Sequence, residues 1–275
     1  MMLTPYLYAA LLWASEAIAC ADHGNSHAAR AVKREDYKRP AQADWAYEAS
    51  FDWARVNPKY RLCQSGTQQS PIPIGLGNGL AVRHRINFNY PSGKTAGNFY
   101  NWNYGPAFTV IHPDGDFTSN PSFTYDNTTL YLSGWHIHTP ADHPVSGWRS
   151  RAEMHFVHVD ASGKPAAVLA FRLDPSTADD NAFFDQMPPY VGFNETGESV
   201  RVELDLTEAL REVGMFGEFW TYQGSLTSPP CTEGIRWFLA RQVMFLGDDQ
   251  MSAVLGASTY SARAEQQVWR HRINE

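Results

Sequence analysis

Two short stretches constrain this chain more than any others. One is Leu130 to His138, ending Trp135-His136-Ile137-His138. The other is Ala152 to Val159, which holds Glu153-Met154-His155. Leu130, Tyr131 and Leu132 are good strand formers, and strand side chains alternate in direction, so His136 and His138 share one face. In the second stretch Glu153, His155 and Val157 fall on one side, and Met154, Phe156 and His158 on the other. Thr139 to Ser150, punctuated by Pro140, Pro144 and Gly147, reads as the loop between two strands. If those strands pair, His155 faces His136 and His138. Three neutral imidazoles on a rigid sheet suit zinc, which in catalytic sites typically takes three protein ligands and keeps a fourth position for water. His-x-His also occurs on solvated strand faces that bind no metal. The third histidine favours the ligand reading, as does Glu153, placed on the same face to accept the second N–H of a ligand imidazole.

The rest of the chain agrees with a sheet-rich fold. The 275 residues are 43% hydrophobic, enough for one large core or two small ones. The apolar residues are dispersed and no repeat is visible, which points to one domain. The 9 Trp, 13 Tyr and 15 Phe, with frequent Gly and Pro, suit strands and turns better than a helical bundle. Strands are expected at Arg85–Tyr90, Phe108–His112, Thr129–Ile137, Arg151–Val159 and Ala166–Leu173. Helices are expected at Asp205–Val213, with Asp205 as N-cap and Gly214 at the stop, and at Asp179–Gln186. A net charge of −7 argues against nucleic acid or an anionic membrane surface as partner.

The apolar run Leu3 to Ala19, with small residues at Ala17-Ile18-Ala19 and Ala19-Cys20-Ala21, predicts a secretory signal over 1–21, although no basic residue precedes it and Glu16 interrupts its end. A polar lead-in follows over 22–43. There Lys33-Arg34 reads as a propeptide processing site or as part of an untouched solvated tail. The folded domain is expected over 44–275. Cys20 would leave with the signal, and Cys63 and Cys231 spell no Cys-x-x-Cys metal or redox motif. Sequons at Asn127-Thr128-Thr129 and Asn194-Glu195-Thr196 predict glycosylation in a eukaryotic secretory pathway. Gln266 to Glu275 is polar and offers no apolar tail for a lipid anchor, so a secreted, soluble mature protein is expected.

At the residue level a family resemblance becomes specific. The stretch Trp135 to His158 resembles the zinc-binding segment of the alpha-class carbonic anhydrases. Phe219 to Pro230, FWTYQGSLTSPP, is similar to that family's Tyr-x-Gly-Ser-Leu-Thr-Thr-Pro-Pro segment. Gln69-Ser70-Pro71-Ile72 and Trp45-Ala46-Tyr47 match too, and the matches keep family order from about Trp45 to about Arg263. The resemblance implies a mainly β fold with a large, twisted, mostly antiparallel sheet, a few short helices, and zinc at the base of a funnel. It implies reversible hydration of carbon dioxide to bicarbonate and a proton by a zinc-bound hydroxide, making the chain a lyase. His136, His138 and His155 would hold zinc. Thr227 would accept the hydroxide proton and aim its lone pair, Ser228 keeps a second hydroxyl, and Val157, Val168, Leu226 and Trp237 would form the apolar wall for carbon dioxide, or else ordinary core. Secreted relatives also imply a Cys63–Cys231 disulfide.

Three departures stand out. Asp142 takes the position of the Glu that accepts a hydrogen bond from the pocket threonine, and is shorter by about 1.5 Å of reach. Pro106 falls where the family's proton-shuttle histidine stands; His112 lies nearby in sequence. Gly134 replaces an amide side chain that supports the first zinc histidine. These changes imply reduced activity with proton export through buffer. The rival reading is a secreted binding, matrix or storage protein on the same fold, although all three histidines are present. A zinc-dependent hydrolase is a second alternative, but the chain lacks His-Glu-x-x-His.

Overall fold

The structure, a computed structural model, describes residues 44–193, 195 and 197–275. The expected signal, the lead-in with Lys33-Arg34, and Asn194 lie outside the described residues. Among the described residues eleven strands form one sheet. They are β1 (Asn87–Asn89), β2 (Thr95–Asn101), β3 (Pro106–Val110), β4 (Ser122–Tyr125), β5 (Thr128–His138), β6 (Ala152–Val159), β7 (Pro165–Ser176), β8 (Ser199–Leu204), β9 (Phe219–Ser225), β10 (Glu233–Ala240) and β11 (Met244–Gly247). The main order is β8-β2-β3-β5-β6-β7-β10-β9, with β4 on β5, β1 on β4 and β11 on β7. Pairing is antiparallel except where β10 and β11 run parallel to β7.

The five expected strands are present with shifted ends. The first shrinks to Asn87–Asn89, and the last extends to Ser176. β2, β4, β8, β9, β10 and β11 were not anticipated; short strands such as Ser122–Tyr125 carry too little alternation to stand out. Helices are few, as expected: α1 (Trp53–Val56), α2 (Leu62–Ser65), α3 (Leu206–Glu212) and α4 (Asp248–Gly256). Asp205 caps α3, its carboxylate accepting from Thr207 N–H at 2.9 Å. The helix expected at Asp179–Gln186 is only a 3-10 turn at Phe184–Gln186. Upstream, Asn181 Oδ1 accepts from the Phe183 and Phe184 N–H groups, a capping arrangement that places the start of the turn after Asn181 rather than at Asp179.

The alternation in β5 and β6 sorts side chains between two cores. Trp135, Ile137, Met154 and Phe156 join the large cluster on one face, with Phe108, Leu169, Phe171 and Phe238. Val157, Val168, Ala170, Tyr222, Leu226 and Trp237 form the second cluster on the other face, the face of the histidines. A third cluster, aromatic and N-terminal, gathers Trp45, Tyr47, Trp53, Tyr60, Trp102 and Tyr104. Cys63 and Cys231 form a disulfide, tying this third cluster to the loop after β9.

Candidate metal centre

β5 and β6 pair in the register that the alternation required. His136 sits opposite His155, and His138 opposite Glu153. The nitrogens of His136, His138 and His155 lie within 4.8 Å of one another, and His136 Nε2 is 3.0 Å from His138 Nε2. Two nitrogens bound tetrahedrally to one zinc at its usual bond length stand about 3.3–3.4 Å apart, so the His136–His138 pair is already close to ligand spacing.

Hydrogen bonds choose the tautomers. His138 Nδ1–H donates to Ser261 O at 2.7 Å, which leaves Nε2 as its ligand atom. His155 Nε2–H donates to Glu153 Oε1 at 2.7 Å, which leaves Nδ1. Glu153 is buried and fully engaged. Its Oε1 also accepts from His143 Nδ1–H at 2.6 Å, and its Oε2 from His143 N–H at 2.8 Å. Tyr222 OH bridges His143 Nε2, at 2.7 Å, and Ser70 Oγ, at 2.9 Å. Burial would raise the Glu153 carboxyl; the charge and hydrogen bond of His143, and then His155, outweigh it and hold the carboxyl well below its usual range. Burial, and next the neighbouring His138, keep His155 below the imidazole range, so it is neutral as a ligand must be. Converging imidazole nitrogens backed by a carboxylate and a carbonyl are a donor set that suits zinc.

The scan against family models aligns residues 48–273 with the eukaryotic-type carbonic anhydrase family. The chain belongs to the carbonic anhydrase family. Among curated relatives, the carbonic anhydrase of Pectobacterium atrosepticum is 29% identical over 200 residues, covering 71% of this chain and 75% of its own. Dioscorin dioA3 of Dioscorea japonica is 26% identical over 210 residues, covering 73% and 70%. Among solved structures, the alpha-carbonic anhydrase of Thermovibrio ammonificans, in complex with the inhibitor sulfanilamide, superposes with a TM-score of 0.70 at 23% identity, covering 85% of this chain and 99% of that one.

Of the other residues expected from the resemblance, Trp237 sets its ring 4.9 Å from that of His155. Val157, Val168, Leu226 and Trp237 pack in one cluster, each no more than 5% exposed. Thr227 and Ser228, which follow Leu226 in the chain, are buried as well. Their loop is pinned by Leu226 N–H to Thr232 O (3.0 Å), Cys231 N–H to Ser228 O (2.8 Å) and Trp237 Nε1–H to Ser225 O (2.9 Å).

The departures acquire physical detail. Asp142 Oδ1 accepts Arg263 N–H at 2.8 Å, while Oδ2 is buried without a hydrogen-bond partner and 3.7 Å from His138 Nδ1. Among the described residues Asp142 and Thr227 share no hydrogen bond, as the missing methylene led one to expect. Pro106 opens β3 beside Ala107, which pairs with His136. His112 lies beyond the end of β3 and is held by local partners. It lies five residues past Ala107, roughly 16 Å along an extended chain, with Nδ1–H on Pro113 O and its ring against Phe117. Gly134 follows a bulge in β5, and a Cβ there would collide with the carbonyl of Phe108.

Sequence reasoning missed His143, Tyr222 and Trp102. His143 lies in the loop among prolines, with nothing local to mark it as the partner of Glu153. Trp102 sets its ring 5.2 Å from the rings of both His136 and His138, and its Nε1–H holds Ile137 O at 3.1 Å. The aromatic run around Trp102 was the available signal.

Proposed function

We propose that the protein is a zinc-dependent carbonate dehydratase, reversibly hydrating carbon dioxide to bicarbonate and a proton. The convergence of His136, His138 and His155, with Ser261 O and Glu153 selecting the tautomers of His138 and His155, carries this reading. His136 and His138 would hold zinc through Nε2, and His155 through Nδ1. Zinc so held supplies Lewis acidity and brings the pKa of a bound water to about 7, the figure known for carbonic anhydrase itself. Val157, Val168, Leu226 and Trp237 give carbon dioxide a dry wall that offers it no competing hydrogen bond. The hydroxyls of Thr227 and Ser228 stand on a loop with little freedom, suited to fixing the direction of attack. Asp142 serves Thr227 only indirectly. With Pro106 at the shuttle position, protons leave to buffer.

The same reading extends to the setting of the enzyme. The Cys63–Cys231 disulfide suggests an oxidising compartment, in keeping with a signal over 1–21 removed on secretion. Among the described residues no helix is long and apolar enough to cross a membrane. Asn127 is exposed at the tip of the β4–β5 hairpin, open to glycosylation; Asn194 is proposed on its sequon alone.

Stopped-flow carbon dioxide hydration, normalised to bound zinc and repeated after chelation, tests the proposal. Near one zinc per chain with chelator-sensitive hydration is expected. Full zinc occupancy without hydration would replace it with the rival reading, a binding or storage protein on this fold.

A further inference from the structure

The C-terminal segment is built into the fold, contrary to its polar composition. His271 is 1% exposed. Its Nε2–H donates to Gln69 O at 2.8 Å, and its Nδ1 accepts Trp269 N–H at 2.9 Å. Arg270 N–H reaches Thr67 O, and Gln223 N–H reaches His271 O. These bonds lay the segment against β9, the terminal strand of the sheet, and set Arg270 and Arg272 on either side of a buried anchor.

A cavity of about 390 Å³ opens there, lined by Thr67, Gln68, Gln223, Arg270 and Arg272. Every lining side chain can donate hydrogen bonds, two are guanidinium groups, and none is a carboxylate. Among the described residues neither guanidinium has an acidic partner within ion-pair distance, in a chain whose net charge is −7. Of the neighbouring acidic residues, Glu233 is turned to the Gln68 N–H and the Gln69 amide, and Glu275, whose N–H reaches Arg272 O, makes no ion pair with Arg272. One N–H of the Gln68 amide is given to Arg270 O, leaving the other. Arg236, opposite Gln223 across β10 and β9, is already engaged: its Nη1–H donates to Glu275 O at 2.8 Å and its other donors face the Gln223 amide oxygen, so it holds Gln223 in place rather than lining the cavity. Arg272 is held at φ +49°, a left-handed conformation uncommon for a non-glycine side chain and enriched where a ligand is clamped.

We propose that this cavity is an oxyanion site, taking a phosphate or sulfate group, free or as a monoester, between Arg270 and Arg272 with Gln68, Gln223 and Thr67 as further donors. Forked guanidinium donors match such oxygens bidentately. The site is separate from the metal centre: β9 lies three strand spacings from β6, roughly 14 Å. Gln223 follows Tyr222, whose side chain faces the histidines, and so points to the opposite face.

The test is NMR of the zinc-loaded protein, following the Gln68 and Gln223 side-chain amides and the Arg270 and Arg272 Nε–H signals. Inorganic phosphate and a monosaccharide phosphate are titrated separately, each against chloride at matched ionic strength. Saturable shifts of these four signals are expected, absent with chloride. R270A/R272A should weaken binding about tenfold or more, with carbon dioxide hydration unchanged, and R270K/R272K should fall between. Tighter binding of the monoester would identify the ligand as an ester, and equal binding would identify the free ion. No saturable shift with either probe, or shifts undiminished in R270A/R272A, would overturn the proposal.

Discussion

His155 and His158 stand three residues apart on β6, both buried, both with pKa values lowered chiefly by burial. On its face, His155 meets two other imidazoles and Glu153, and its free nitrogen points where theirs converge. His158, on the opposite face, packs against Phe123, accepts from Tyr90 OH at 2.8 Å and donates to Phe156 O at 3.1 Å. Both of its nitrogens are used. Burial and a depressed pKa therefore do not distinguish a ligand from a core histidine; what distinguishes them is whether a nitrogen is left over and what it faces.

The sharpest way to break this contrast is His138→Ala. Zinc content by atomic absorption should fall well below one per chain, and hydration should drop to background. A variant that retained full zinc would remove His138 from the ligand set. Next is Glu153→Gln, which removes the carboxylate behind His155 and should weaken zinc affinity by about 10–100-fold in competition with a chelator. Opening the Cys63–Cys231 link with paired serines should cost about 2–5 kcal/mol in denaturant unfolding, since it closes a separation of 168 residues.

His158→Gln sharpens the contrast from the other side. Zinc and hydration at neutral pH should be unchanged. The His158 pKa is pushed down to about 3 by burial, so the unfolded chain takes up its proton first as pH falls. The native state therefore loses stability progressively from about pH 6.5 down to about 3, by about 4–5 kcal/mol at roughly 1.4 kcal/mol per unit. Acid unfolding of His158→Gln should show a slope smaller by up to one proton in that window. The smallest effect expected is that of Asp142→Glu, a gain in hydration rate of a few fold if the longer side chain reaches Thr227, about 1 kcal/mol of barrier. An unchanged rate would mean that Asp142 already serves.

Much of the metal centre was legible because strand alternation is local: two residues of separation place His136 with His138 and Glu153 with His155. The shells around them were not, because their partners are remote. Ser261 O, which orients His138, is 123 residues away, and Tyr222 is 79 residues from His143. The parallel attachment of β10 to β7 left no pattern at either strand alone. Asp142 shows the useful middle case: side-chain length alone announced a missing bond to Thr227, while its actual partner, the Arg263 N–H, needed coordinates.

The bulge at Gly134 bears on how this chain can change. The backbone of β3 has closed into the space that a side chain there would occupy. An amide cannot be returned behind His136 by one substitution; β3 would have to retreat first, and every intermediate on that route begins with a clash. A side chain that supports His136 would therefore have to come from some position other than 134, or from a sheet in which β3 stands farther from β5.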